Sequence, residues 1–248
     1  MPDLLPTTAT PYCGPAPTPG TLAMAWNVDP VLIGLLTAGL LAGAWHLRGA
    51  QPGRRGALAG AGGAAAVAFV GPLCALTVAL FAARTAHHLV VLLALAPALA
   101  LAFPWRRAPV GGAFLALSVA LWAWHLPAVY AAAWDSAAAY WALQGALVLP
   151  GWAFWAGVMA RRQSFERALG ASAMVAALAG QMGLIGAVLV FAPGVLYPEH
   201  LAGTAAFGLG ALEDQQLAGL LMWVPGMLPM ALIAGWLLRR AWAGLPAR

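Results

Sequence analysis

The chain contains no lysine and few charged residues of any kind. Its twelve basic residues are all arginines, seven residues are acidic, and charged residues make up 8% of the sequence against 63% hydrophobic ones. A typical soluble domain contains roughly 25% charged residues, so this composition indicates a chain whose solvent is lipid. The missing lysine also excludes a retinal photoreceptor, because retinal forms its Schiff base with a lysine amine.

Cysteine is scarce as well, with Cys13 near the start of the chain and Cys74 within a long apolar stretch. The spans assigned below put Cys13 in a tail outside the membrane and Cys74 inside the second span. A disulfide needs Cα atoms within about 7 Å of each other, which residues at different depths do not meet. We therefore expect two separate thiols.

Long uncharged stretches dominate the rest of the chain. A hydrocarbon core about 30 Å thick needs about twenty helical residues for each crossing. Their Ala, Gly and Leu content favours packed helices over the alternating segments of a transmembrane barrel. The sequence predicts an all-α membrane protein, a seven-transmembrane-helix bundle with spans near 28–47, 57–82, 85–104, 110–130, 139–160, 169–193 and 214–238.

The arginines are sorted by position along the chain. Basic residues that flank membrane spans stay on the cytoplasmic side, so the five arginine segments are predicted to lie inside and the N-terminus outside. Arg84 and Glu166 do not fit this pattern. The cytoplasmic segments carry Arg48, Arg54 and Arg55; Arg106 and Arg107; Arg161, Arg162 and Arg167; Arg239 and Arg240; and Arg248.

Three parts follow from this topology: an extracytoplasmic tail over 1–27, a transmembrane domain over 28–240 and a cytoplasmic C-terminus over 241–248. The tail has no basic residue and six prolines, so we interpret it as an extended segment and not a signal peptide. The net charge of +5 lies at membrane edges, which indicates membrane lipids, and no nucleic acid, as its partner.

Several polar residues gather at the predicted outer end of the bundle. Ionisable residues inside a membrane are costly and often mark a site. Imidazole is the commonest metal ligand but also a good interhelical hydrogen-bonding group, so metal binding and helix packing both stay open for each histidine. Neighbours on a helix point about 100° apart. The group comprises His87, His88, His125, Tyr130, Tyr197, Asp214, Gln215 and Gln216, while His200 is expected to be solvated.

Asp214 and Met222 each allow a structural and a functional interpretation. Asp214 begins a predicted helix, where a carboxylate caps backbone N–H groups. Met222 offers a soft thioether for cuprous copper, although thioethers in apolar helices usually only pack.

Three segments resemble the CtaG-type cytochrome c oxidase assembly proteins, a family of seven-helix bacterial membrane proteins. The first is His88 followed by an apolar run to Pro97, and the others are LWAWHLPAVY at 121–130 and EDQQLAGLLMWVPG at 213–226. Together with Phe154-Trp155 and Tyr197-Pro198, the resemblance covers about residues 80–230.

The resemblance implies a cytochrome c oxidase assembly factor of the bacterial plasma membrane, a metallochaperone that serves the respiratory chain and is not an enzyme. It would present copper at the outer face to oxidase subunits. The implied copper ligands are His88 and His125, with His87, Met222 and Cys13 as further donors. Asp214 would orient an imidazole, and Gln215, Trp124, Tyr130 and Tyr197 would support the site or contact the partner.

The chain departs from the family pattern at three positions that usually hold histidine. They are Arg84, Trp141 and Gly145. Arginine cannot bind a metal cation and repels it, so part of the expected histidine site is missing. A non-metal scaffold for oxidase assembly and a b-type haem bundle with His88 and His125 as axial ligands therefore remain as alternatives, and a transporter is the least supported one.

Overall fold

A computed structural model describes residues 10–105, 107–160 and 164–243. These residues form helices joined by turns and loops, and no strand occurs among them. The predicted all-α class is confirmed. The predicted cytoplasmic residues Arg106, Arg161, Arg162 and Arg248 and most of the segment 241–248 lie outside the described residues.

Each apolar stretch of the sequence folds into helix. The α-helices are α1 (Pro30–His46), α2 (Pro52–Ala65), α3 (Pro72–Ala79), α4 (Phe81–Val90), α5 (Ala96–Ala102), α6 (Val110–Trp124), α7 (Pro127–Asp135), α8 (Ala137–Val158), α9 (Phe165–Phe191) and α10 (Ala211–Ala243). Two π-helical turns, Ala66–Val70 and Val91–Leu95, continue α2 toward α3 and join α4 to α5.

Within the described ranges, three helices are long and apolar enough to cross a membrane: Phe81–Ala102, Phe165–Phe191 and Ala211–Ala243. Two bent pairs, Pro52–Val70 with Pro72–Ala79 and Val110–Trp124 with Pro127–Asp135, raise the number to five. The apolar α1 is shorter, at 17 residues. The protein is a membrane protein by these helices, while seven crossings and the orientation of the termini stay predictions.

Prolines break two of the spans predicted as continuous. The stretch 57–82 bends by 41° at Gly71-Pro72, and the stretch 110–130 bends by 80° before Pro127. Proline lacks a backbone N–H and pushes the preceding residue into extended conformation, as ψ angles of 172° at Gly71 and 120° at Leu126 show. The second break leaves His125 at the C-terminal cap of α6.

The helices α9 and α10 pack closely through glycines. A Cβ atom built on Gly219 would lie 2.5 Å from the carbonyl oxygen of Gly186, and one built on Gly186 would lie 2.7 Å from that of Gly219. Small residues let membrane helices approach to backbone contact. This contact fixes the start of α10, which carries Asp214 and Gln215, against the rest of the bundle.

The described part of the N-terminal segment packs against the bundle. The ring of Tyr12 stacks on that of Tyr140 at 5.1 Å, and its hydroxyl donates to Asp29 at 2.7 Å. Asn27 donates its backbone N–H to the carbonyl of Val70 at 2.8 Å. The described part of the tail therefore covers one end of the bundle.

The prediction of two separate thiols is wrong, because Cys13 and Cys74 form a disulfide with Cα atoms 5.3 Å apart. The error came from the depth assigned to each residue. The tail folds back onto one end of the bundle, and the break at Gly71-Pro72 places Cys74 near the same end. Both cysteines are buried, and the hydroxyl of Tyr140 lies 3.7 Å from Cys13 Sγ.

Candidate functional site

The helix α4 carries three basic side chains into the interior of the bundle. Arg84, His87 and His88 are all buried, with exposed fractions of 4%, 0% and 2%. The carboxylate of Asp214 holds the start of this helix, accepting hydrogen bonds from the backbone N–H groups of Phe81 at 2.6 Å and Ala82 at 3.1 Å. An acidic side chain of α10 thus caps α4 across the helix interface and fixes its register.

His88 lies at the centre of the group. Its ring centroid is 4.7 Å from that of Trp124 and 6.1 Å from that of His125. Both of its ring nitrogens are buried without a hydrogen-bond partner in the described part of the chain. Buried polar groups normally have hydrogen-bond partners. The imidazole of His88 takes no part in the hydrogen-bond network of the described residues, so its ring nitrogens are available to a ligand.

His125 is oriented by the break between α6 and α7. Its Nδ1 lies 2.7 Å from the carbonyl oxygen of Leu121, so Nδ1 carries the proton in the neutral ring and Nε2 keeps its lone pair. The hydroxyl of Tyr197 donates to the backbone carbonyl of His125 at 2.9 Å. Helix and loop together hold this imidazole half-buried beside His88.

His87 points in a different direction from His88, as the 100° rotation between helix neighbours predicts. Its ring contacts Phe69 edge-on at 5.2 Å, and its centroid lies 5.8 Å from that of His88. Both of its nitrogens also lack partners among the described residues. The structure therefore brings His87, His88 and His125 into a row of neighbouring rings, and His88 occupies the middle.

Arg84 stands one turn before His88 in a box of aromatic rings. Its guanidinium carbon lies 5.6 Å from the ring centroid of Trp124 and 5.5 Å from that of Tyr140. The Nε and Nη1 atoms are buried with no partner in the described ranges. Cation–π contacts compensate part of the cost of burying this charge, and this permanent cation lies near His88, the middle histidine of the row.

The loop between α9 and α10 covers one end of the site. The ring of Tyr197 stacks on Phe81 with centroids 3.9 Å apart, and the hydroxyl of Tyr130 lies 2.7 Å from Nε2 of His200. Gln215 ties the loop to α10, because its amide accepts from Leu196 N at 2.7 Å and donates to Gly194 O at 3.3 Å. These contacts pack the loop onto the start of α4.

The expectation that His200 is solvated is wrong, since its exposed fraction is 1%. Burial, and to a smaller extent the charge of Arg84, lower its pKa to about 3. Burial also raises the pKa values of its loop neighbours Tyr197 and Glu199. The imidazole of His200 is therefore neutral at physiological pH and serves as a buried hydrogen-bonding partner.

Other predicted site residues lie apart from the row of histidines. The sulfur of Cys13 is bonded to Cys74 and is not a thiolate in this state. Met222 is fully buried in the hydrophobic core on α10. Both oxygens of Asp214 face backbone N–H groups of α4, and no described histidine donates to them. In the described ranges, no three His, Cys, Asp or Glu side chains are placed to share a metal ion.

Two residues of this end escaped the sequence reasoning. Tyr140, one turn before Gln144 on α8, completes the aromatic box around Arg84. Gln144 is buried, with both atoms of its amide group unpartnered in the described part of the chain. A glutamine in an otherwise apolar span was the available signal, because an uncharged polar side chain in a membrane helix usually has a partner.

The comparison with protein families supports the resemblance noted in the sequence. Residues 109–243, more than half of the chain, match the family model described as cytochrome c oxidase caa3 assembly factor. The match includes the segments around His125 and Asp214 and begins after α5. No curated protein and no solved structure gave a match. The chain belongs to the cytochrome c oxidase caa3 assembly factor family.

Proposed function

We propose that this protein helps to insert copper into cytochrome c oxidase and carries the copper ion as cargo at the outer end of its helix bundle. The observation that supports this most directly is His88, a buried imidazole with two unpartnered nitrogens, 6.1 Å from the ring of His125. An assembly factor that handles a metal needs donors that are free of other partners. His88 fulfils this condition, and so does the lone pair of His125 Nε2.

The proposed ligands are neutral imidazoles. The hydrogen bond from Nδ1 to Leu121 directs His125 to present Nε2. Imidazole suits copper, and geometry and ligand type control selectivity among transition metals. A site with two imidazoles has a low coordination number, which favours transfer over permanent binding. His87 is placed to accept the ion from His88, since their centroids are 5.8 Å apart.

We propose further that the chain crosses the bacterial plasma membrane seven times with its N-terminal segment outside. The arginine-rich segments support this orientation through their preference for the cytoplasmic side. The bond between Cys13 and Cys74 supports it independently, because structural disulfides persist in oxidising compartments and are rare in the cytosol. The row of histidines would then face the side where the tail and the Tyr197 loop lie, within reach of an oxidase subunit.

The partners in this proposal are cytochrome c oxidase subunits and the surrounding lipids, and the protein transfers the ion without catalysing a reaction. The loop over 192–210 and the described tail form the outer surface that an oxidase subunit would meet. A variant that only misfolds would lose both its copper and its contact with the partner. The experiments below therefore measure them separately.

The first test is the copper stoichiometry of the purified protein under reducing conditions. We expect about one cuprous ion per chain and its loss in the His88→Ala, His125→Ala double variant. The matched control is His46→Ala, because His46 is exposed at the end of α1 and belongs to no buried group. The copper content of oxidase in cells that carry each variant gives the second measurement. No copper above the double variant in the purified protein would contradict the proposal.

A non-metal scaffold for oxidase assembly is the second candidate, and the position of Arg84 favours it. The guanidinium shares the ring of Trp124 with His88 and repels a metal cation at that imidazole. A scaffold predicts that the double histidine variant supports normal oxidase assembly as long as it folds. Loss of assembly in a variant that retains its melting temperature and helicity would argue against the scaffold.

A b-type haem bundle gains no support from the larger cavity of the structure. This cavity lies between α1 and α8, and none of its lining residues is a histidine. Haem absorbance of the same purified samples tests this alternative directly. A Soret band that disappears in the His88→Ala, His125→Ala variant would replace copper by haem as the ligand of this site.

A further inference from the structure

A large cavity is lined by residues of α1, α2, α5 and α8. Its volume is about 660 Å³, within the range of about 300–1,000 Å³ that is usual for small-molecule sites. Along α1 it extends from Val31 to Leu40, which corresponds to about 14 Å at the helical rise. This cavity, called here the α1–α8 cavity, contains none of the histidines of the site described above.

The lining of the α1–α8 cavity is polar at one end only. Asp29 caps α1, Trp141 and Gln144 belong to the first turns of α8, and Tyr12 bridges the two helices through its contacts with Asp29 and Trp141. The other end, near Leu58, is lined by leucines and Phe103. The cavity therefore has the polarity of an amphiphile, with its head end under the N-terminal segment and its chain end deeper in the bundle.

Gln144 gives the polar end an unused hydrogen-bonding group. Its exposed fraction is 1%, and neither Nε2 nor Oε1 has a partner in the described part of the chain. Leaving a buried amide unpaired is costly, while a ligand that carries both an acceptor and a donor satisfies it. A hydroxyl group or an ester beside a hydroxyl provides this pair. An apolar chain alone does not.

The charges at the α1–α8 cavity select against an anionic head group. Among the described residues, no arginine or histidine lines the cavity, and its carboxylate, Asp29, already accepts hydrogen bonds from Tyr12 at 2.7 Å and from Val31 at 2.8 Å. An anionic phosphate would meet a carboxylate and no cation there. We propose that the α1–α8 cavity binds a neutral long-chain amphiphile, with its chain along α1 and its hydroxyl or ester group hydrogen-bonded to Gln144.

This inference does not rest on copper transport, and its test uses the full chain in detergent micelles. The probe is a monooleoylglycerol that carries a diazirine in its acyl chain. We expect saturable photolabelling that maps to peptides of α1 and α8. Gly145→Leu and Gly39→Leu each add a side chain to the cavity at positions where a Cβ meets nothing within 4 Å. Leucine also favours a helix more than glycine does, so both variants should fold.

We expect labelling to fall at least fivefold in both filled variants and the affinity to fall about fivefold in Gln144→Leu. The matched control is Gly180→Leu on α9, where a Cβ also meets nothing within 4 Å and which lies outside the cavity; its labelling should equal that of the wild type. Phosphatidylglycerol should compete at least tenfold less well than unlabelled monooleoylglycerol.

Three results would overturn the proposal. Equal labelling of the filled variants would place the probe elsewhere on the protein. Equal competition by phosphatidylglycerol would mean that the cavity binds lipid chains without selecting their head groups. The third result concerns a partner protein that co-purifies and blocks all labelling. If the probe still fails to label the cavity after this partner is removed, the cavity would be assigned to a helix of the partner.

Discussion

Arg84 and His88 lie one helical turn apart on α4 and face the same indole ring. The guanidinium carbon of Arg84 is 5.6 Å from the ring centroid of Trp124, and the ring centroid of His88 is 4.7 Å from it. Side chains four residues apart on a helix share a face. A metal ion bound by His88 would therefore have a permanent positive charge as its neighbour.

Replacement of Arg84 by histidine should strengthen copper binding. Arg84→His removes the repelling charge and creates a pair of imidazoles at i and i+4, which can chelate one ion. We expect the affinity for cuprous ion to rise at least tenfold, measured by competition with a cuprous chelator. Arg84→Gln is the control that removes the charge without adding a ligand, and it should give a smaller gain. An unchanged affinity in Arg84→His would contradict the proposed site.

The disulfide between Cys13 and Cys74 should contribute measurably to stability. It joins residues 61 positions apart, and the chain-entropy model gives about 4 kcal/mol for a loop of this size. Cys13→Ser and Cys74→Ser should lower the unfolding midpoint in detergent by similar amounts. The double variant should match the single ones, because each removes the same bond. Two titratable thiols in the wild-type protein without reductant would contradict the bond.

The helical class and the neighbourhood of the histidines could be predicted from the sequence. Apolar stretches of span length predict helices directly, and the polar residues of these stretches predict an end where they gather. The contacts between His88, Trp124 and His125 follow this expectation. Local patterns sufficed here because each residue's position depends mainly on its own helix.

The disulfide and the burial of His200 could not be predicted in the same way. Both depend on segments without helical periodicity that fold back onto the bundle. The described tail reaches Cys74 through contacts of Tyr12 with α8, and the loop buries His200 through Tyr130. Asp214 shows a related limit. The sequence predicts that this carboxylate caps a helix, but the helix that it caps is α4, and this depends on how α10 packs.

The glycine contact between α9 and α10 should not tolerate a methyl group. A Cβ on Gly219 would lie 2.5 Å from a backbone oxygen of Gly186, so Gly219→Ala forces the helices apart. We expect a loss of about 1–3 kcal/mol, the usual cost of overpacking. Gly235→Ala on the same helix is the control, since its Cβ meets nothing within 4 Å, and it should be neutral or slightly stabilising. Unchanged thermal melting of Gly219→Ala would contradict the contact.

Asp214 should contribute to folding through α4 and leave copper content unchanged. Asp214→Ala leaves the N–H groups of Phe81 and Ala82 without their acceptor, at a cost of about 1–3 kcal/mol for a buried group. Asp214→Asn keeps one acceptor oxygen and should lose less. Glu213→Ala is the neighbouring control, because Glu213 is exposed and accepts from the backbone N–H of Gly210. Loss of copper from a folded Asp214→Asn protein would instead assign the carboxylate to the metal site.

His200 should make the protein sensitive to mild acid. Its pKa is about 3 in the folded protein because of burial and the charge of Arg84, against an ordinary value of 6.5. Between these values the unfolded chain binds a proton that the folded protein does not, so stability falls as the pH drops from 6.5 toward 3, by at most about 1.4 kcal/mol per pH unit. His200→Gln keeps a partner for Tyr130 and should flatten this decline in unfolding midpoints measured between pH 7 and pH 4. The control His46→Gln alters an exposed histidine and should retain the wild-type decline. Parallel curves for wild type and His200→Gln would mean that His200 gains its proton without leaving the fold.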